Sequence, residues 1–101
     1  MNYEISISDA ADAELIEYIN FIVDNYKSPA TAVKHYDDIM AAIRELRRNP
    51  FVNAIRLNSS LQEYGYGVRR FNYKKMAVIY TVSENTIYIH RIMPASMIIG
   101  L

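Results

Sequence analysis

Two β-rich runs with almost nothing between them constrain this chain most. Residues 76–82 (Met-Ala-Val-Ile-Tyr-Thr-Val) and 86–93 (Thr-Ile-Tyr-Ile-His-Arg-Ile-Met) are dense in β-branched and aromatic side chains, and only Ser83-Glu84-Asn85 separates them. Three polar residues between two such runs predict an antiparallel hairpin. Just upstream, Arg69-Arg70-Phe71-Asn72-Tyr73-Lys74-Lys75 reads as a further short strand, with four cations set around Phe71 and Tyr73. The expected object is an antiparallel meander with a basic, aromatic edge.

The earlier residues supply a cover for one face of that meander. Residues 3–8 alternate, with Tyr3, Ile5 and Ile7 on one side and Glu4, Ser6 and Ser8 on the other, as a half-buried strand does. Ser8 or Asp9 can cap a following helix, and Asp12 and Glu14 carry the negative charge that its dipole favours. Ala11, Leu15, Tyr18, Ile19, Ile22 and Tyr26 then form one stripe at helical spacing. Lys27-Ser28-Pro29 interrupts the pattern and restarts it, Ser28 as cap and Pro29 at the first helical position.

The second helix is expected to run to about Arg48, burying Ala32, Tyr36, Ile39, Met40, Ile43 and Leu46, until Asn49-Pro50 stops it. So short a link makes the helices an antiparallel hairpin. Residues 51–62 read as a loop with one weak strand, and Tyr64-Gly65-Tyr66-Gly67 as the turn into the meander. The predicted class is α+β, a two-layer β-α-α-β-β-β arrangement in which the helical hairpin covers one face of an antiparallel sheet. In the last strand, strict alternation places Ile87, Ile89 and Arg91 on one face and Tyr88, His90 and Ile92 on the other.

The 101 residues suffice for a single domain, 1–101, with one core. No apolar run approaches the ~20 residues of a membrane span, and the N-terminus lacks signal-peptide character, so a cytoplasmic protein is expected. With no cysteine and two histidines, neither a thiolate metal site nor a cofactor is expected. The zero net charge hides a polarity. Residues 1–38 hold two basic and eight acidic side chains; residues 39–101 hold nine basic and three acidic ones. The split fits helix faces that are merely solvated and equally a positive surface on the sheet side aimed at a polyanion or acidic partner; a pI of 6.7 speaks against strong affinity for free nucleic acid.

Several residues carry candidate chemistry. Arg69, Arg70, Lys74 and Lys75 could clamp phosphates or a partner while Phe71 or Tyr73 stacks a base; an edge strand guarded by charge would look the same. His90, with an unperturbed pKa near neutrality, could move a proton or be structural; Arg91 could be functional or a structural ion-pair partner; Tyr73 and Tyr80 could lie on an open sheet face or serve packing. His35, among polar neighbours, reads as a surface residue. The tail is unusually apolar: Met93, Met97, Ile98, Ile99 and Leu101 could cover the sheet's second face, but a docking surface for a partner or a second copy in a homodimer is the favoured expectation.

These features together resemble the RelE/ParE superfamily of type II toxin–antitoxin (plasmid stabilisation) toxins. The resemblance rests on the first helix (Ala11, Ala13, Leu15, Ile16, Tyr18, Ile19), the second helix's close (Ile43, Leu46, Asn49-Pro50), and three strand segments. Those are Arg69-Arg70-Phe71, Val78-Ile79-Tyr80 and Ile87-Tyr88-Ile89-His90-Arg91-Ile92. The resemblance implies a toxin neutralised by a cognate antitoxin, which either cleaves messenger RNA on the ribosome or poisons DNA gyrase.

For a ribonuclease it points to Arg69, Arg91, His90 and Tyr80 as catalytic residues, because cleavage needs a proton acceptor for the 2′-hydroxyl and cations for the phosphorane. Two positions depart from the pattern. Met97 stands about where an Arg is often found, and Met76-Ala77 replace the Arg that often begins the third strand. The constellation is incomplete, and enzymatic activity is left open. The alternative is a non-catalytic protein-binding module on the same fold.

Overall fold

Local chemistry dictates where each element starts. In the computed structural model, which describes residues 3–99, β1 spans Glu4–Ile7 and α1 spans Asp9–Tyr26. Ser8 caps α1 by accepting the Ala11 N–H at 3.0 Å. Lys27 ends the helix in the left-handed region (φ 53°), its N–H donating to the Val23 carbonyl at 3.0 Å. Ser28 then caps α2 (Pro29–Glu45) with Pro29 in the first turn. This helix stops three residues short of the expected Arg48, its end tightening into turns such as Leu46 N–H to Ile43 carbonyl.

β2 (Arg69–Tyr73), β3 (Met76–Ser83) and β4 (Thr86–Pro94) form the meander, joined by two-residue turns at Lys74-Lys75 and Glu84-Asn85. The sheet order is β1-β4-β3-β2. The sheet is mixed rather than purely antiparallel, because β1 returns alongside β4 in parallel register, Ile5 beside Ile87 and Ile7 beside Ile89. A parallel pair needs a long crossover, and α1, α2 and the meander supply it.

One irregularity sets what faces where. Tyr80 pairs with Ile89 while Ile79 pairs with Arg91, so His90 is an extra residue bulged out of β4. Strict alternation therefore fails at this point. Ile87, Ile89 and Ile92 all face the helices, and Arg91 leaves the face that alternation assigned to it. The main core joins Ala11 and Leu15 of α1 and Ile39 and Ile43 of α2 to Val78, Tyr80, Ile87, Ile89 and Ile92 of the sheet. Each fully buried isoleucine contributes about 2 kcal/mol. Tyr26 and Tyr36, expected on the buried stripes, are exposed.

The reverse face of the sheet is not open. A 3-10 turn at Ser59–Tyr64 and a second at Ala95–Met97 fold over it. Leu61, Val68, Ala77 and Ile79 form a second buried cluster there, packed by Tyr64, Met93, Ala95 and Ile98. The segment expected to be mostly loop thus carries a layer of core. Its weak strand is a single antiparallel bridge, Ile55 to Arg69. Leu101, counted with the apolar tail, lies outside the described residues.

A left-handed backbone at a lysine carries a steric cost that glycine lacks. Lys27→Gly is therefore expected to raise the unfolding free energy by up to about 1 kcal/mol, read as a higher urea midpoint at constant slope.

Candidate functional site

The expected basic patch on β2 does not exist as one surface. Successive strand residues point to opposite faces, so Arg69 and Arg70 part company at once. Arg69 lies on the helix side, where its Nη1 donates to the carbonyls of Asn53 and, at 3.4 Å, Phe51, and its guanidinium sits 5.2 Å over the Phe51 ring. Arg70 lies on the reverse face. Lys74 and Lys75 sit in the turn beyond the strand, Lys74 with φ 53° and its Nζ 5.6 Å from the Tyr73 ring centroid.

The four candidate catalytic residues fall into two pairs on opposite faces. Arg69 and Tyr80 are register partners on the helix side. Tyr80 has 0% of its surface exposed; its hydroxyl donates to the Pro50 carbonyl at 2.9 Å and accepts from Asn53 Nδ2 at 3.1 Å. Burial raises its pKa. Together these two side chains pin residues 50–53 to the sheet. Tyr80 is a core residue, not one on an open face.

His90 and Arg91 form the second pair. The bulge turns the His90 ring toward Tyr64 and Tyr88, with centroids 5.5 and 6.4 Å away and planes inclined by 30° and 24°. His90 Nε2 shares a 2.7 Å hydrogen bond with Thr81 Oγ1, and burial lowers the imidazole pKa. Arg91 reaches around the edge of β4 to α1. Its Nε and Nη2 donate to the two Glu14 oxygens at 2.9 and 2.7 Å, and its Nη1 donates to the Tyr64 hydroxyl at 2.8 Å. The Glu14 carboxylate and then Tyr64 raise the guanidinium pKa. Glu14 also accepts the Ile92 N–H at 3.0 Å. The Arg91 guanidinium is already neutralised by the Glu14 carboxylate and so offers no surplus positive charge to a phosphorane.

His35 is not a bare surface residue. Its Nδ1 shares a 2.8 Å hydrogen bond with the Tyr18 hydroxyl, and its ring meets Tyr73 edge-on at 5.6 Å. Tyr73 donates to Asp38 Oδ2 at 2.9 Å, and burial followed by that carboxylate pushes its pKa up to about 12. The hydrogen bond from Lys34, then that from Tyr73, lowers the Asp38 pKa.

The network borders a groove of about 750 Å³ between α1, the Lys74-Lys75 turn and the tail, with Phe21 and Met97 exposed on its rim. The apolar tail divides accordingly. Met97 and Ile99 face outward, whereas Met93 and Ile98 pack into the second cluster and serve this chain's own core. Among the described residues, no three His, Asp or Glu side chains are grouped as metal ligands would be. No helix among them is long and apolar enough to cross a membrane.

Local sequence gave no signal for Glu14, Tyr64 and Asn53 as the partners of Arg91 and Tyr80. Glu14 and Arg91 lie 77 positions apart, beyond the reach of any local pattern.

Comparison with known proteins agrees with this architecture. Residues 5–99 match the sequence model of a family described as the ParE toxin of the type II toxin–antitoxin system parDE. The fold is similar to that of a solved chromosomal ParDE toxin–antitoxin system from P. aeruginosa, with a TM-score of 0.73 and 21% identity over 91% of this chain and 95% of that one. No curated protein matched in sequence.

Two outcomes follow, one for the Glu14–Arg91 clamp and one for His90. Glu14→Gln should cost about 1.5–3 kcal/mol in chemical denaturation, and adding Arg91→Met should cost less than the sum of the single effects. For His90 the folded pKa lies below the unfolded one, so its contribution is complete above about pH 6.5 and is lost as pH falls through the folded value. His90→Gln should therefore flatten part of the loss of stability between neutral and mildly acidic pH.

Proposed function

The chain belongs to the ParE toxin family of type II toxin–antitoxin systems, and on that premise we propose that it stops growth by engaging DNA gyrase rather than by cutting messenger RNA. One observation carries the reading. Arg69, Tyr80 and Arg91 are committed to intramolecular partners, and they lie on two faces of the sheet. Ribonucleolytic chemistry needs a base, an acid and free cations around one phosphate. A protein target needs only a surface, and that surface would act in the cytoplasm, where gyrase works.

The neutralising antitoxin is proposed to lay an amphipathic segment into the groove beside α1. Phe21 and Met97 would meet its apolar face, while Lys74 and Lys75 on the rim would meet acidic side chains. In this reading the docking role expected of the tail belongs to Met97, with Ile99 beside it, and Met93 contributes from beneath.

Incubating the purified chain with gyrase, supercoiled DNA and ATP should trap cleaved, linear DNA. Primer extension on messenger RNA from induced cells should show no new 5′ ends. Ribosome-dependent cuts without gyrase-mediated DNA breaks would overturn the proposal. Met97→Glu should leave toxicity intact and weaken rescue by the co-expressed antitoxin about tenfold or more; unchanged rescue would remove the groove from the interface.

A further inference from the structure

Residues 51–57 turn an apolar ridge toward water. Phe51, Val52, Ile55 and Leu57 are all exposed, Val52 to 66% and Leu57 to 79%. Phe51 lies against Arg69 on the helix side, Ile55 is the bridge partner of Arg69, and alternation brings Leu57 to that same side. Val52 stands beside them, and none of the four lines the groove beside α1. Contiguous exposed apolar side chains, unlike single scattered ones, mark contact surfaces.

The fold commits buried and half-buried groups to holding this segment. The Tyr80 hydroxyl donates to the Pro50 carbonyl and accepts from Asn53 Nδ2, and Arg69 donates to the Phe51 and Asn53 carbonyls. The N–H groups of Phe51 and Val52 donate to Asn49 Oδ1 and to the Asn49 carbonyl, both at 3.2 Å. At the far end the Arg56 N–H donates to the Val68 carbonyl at 2.7 Å, and Gln62 Nε2 donates to the Arg56 carbonyl at 2.9 Å. Chain outside helix and strand is thereby set in one shape with its apolar side chains outward. A surface fixed before contact loses less entropy on binding.

Positive charge borders the ridge. Arg47 and Arg48 are exposed in the turns that lead from α2 into Phe51. Arg47 Nε donates to the Tyr3 carbonyl at 2.9 Å, and the Tyr3 ring meets Phe51 edge-on at 6.4 Å, so this end of α2 is continuous with the ridge. Among the described residues, Glu45 is the one carboxylate paired with Arg47, Arg48 or Arg69; it lies 3.5 Å from Arg48, and both partners are largely exposed. An aromatic and aliphatic centre with arginines around it has the composition of a protein-binding patch.

We propose that residues 51–57 are the surface that grips the toxin's protein target, entering an apolar depression whose acidic rim meets Arg47 and Arg48. The inference rests on the gyrase reading and names the face that carries it. Side chains standing this far out fit a hollow in a folded partner, whereas a peptide segment of an antitoxin fits a groove. Two copies packed ridge to ridge about a two-fold axis would bring like charges together at Arg47 and Arg48. A fluid bilayer makes no use of a fixed shape.

The test titrates the full chain into gyrase, supercoiled DNA and ATP and reads the concentration giving half-maximal DNA cleavage. Leu57→Glu should raise that concentration about tenfold or more, and Arg48→Glu should raise it and flatten its salt dependence. Both side chains are exposed, so the urea midpoints should match that of the unaltered chain; if Leu57→Glu lowers its midpoint, Val52→Glu decides. Cleavage undiminished in the ridge variants would overturn the inference and leave the gyrase reading standing. No cleavage with the unaltered chain would overturn both. With cleavage kept, loss in Leu57→Glu of antitoxin rescue, of self-association in sedimentation, or of binding to phosphatidylglycerol-containing vesicles would overturn it too, giving the ridge to the antitoxin, a second copy or lipid.

Discussion

The structure depends on how α1 fastens the irregular half of β4. Parallel pairing with β1 ends at Ile89, one residue before the bulge. Beyond that point β4 would expose edge donors and acceptors beside the core, and α1 takes over the missing strand's role. The Ser8 N–H donates to the Ile89 carbonyl at 3.0 Å and its hydroxyl to the His90 carbonyl at 2.8 Å, while the same oxygen caps the helix. Two turns on, Glu14 accepts the Ile92 N–H and grips Arg91 with both oxygens. One helix thus completes the hydrogen bonding of a strand edge, which would otherwise leave polar groups unpaired near the core.

The acidic and basic halves of the sequence meet through this clamp. Glu14 comes from the acidic half and Arg91 from the basic one. Some of the charge polarity is therefore consumed inside the fold. The cations left over are dispersed by strand alternation and by the turn, so no single positive surface forms. A chain of pI 6.7 with its cations so divided presents no continuous positive track of the kind a phosphate backbone requires.

The sequence made most of the fold legible because periodicity and caps are local. Ser8, Ser28 and Pro29 start their helices where expected, and Ile5, Ile7, Leu15, Ile39 and Ile43 pack into the core through their spacing alone. The bulge was not legible. An inserted residue in a strand leaves no compositional mark, and strict alternation put Arg91 with Ile87 and Ile89. The cover on the reverse face was also hidden, since it is built from irregular chain: Leu61 in a 3-10 turn and Ile98 in the tail carry no periodic signature. The β2 site failed for a plainer reason. Adjacent residues in a strand cannot share a face, so Arg69-Arg70 in sequence is a pair in name only.

That distinction bears on what loss of toxicity in a variant means. Tyr80 and Arg69 hold residues 50–53 against the sheet, and Arg91 completes the α1 clamp. Truncating any of them removes a buried or half-buried partner and costs on the order of a few kcal/mol, a large share of a small domain's total stability. A harmless alanine variant at these positions would thus reflect depleted folded protein before it reflected lost chemistry. Positions that can report on function are those whose side chains the fold leaves uncommitted, such as Met97 and Phe21 on the groove. In this chain the residues that look catalytic keep the architecture intact.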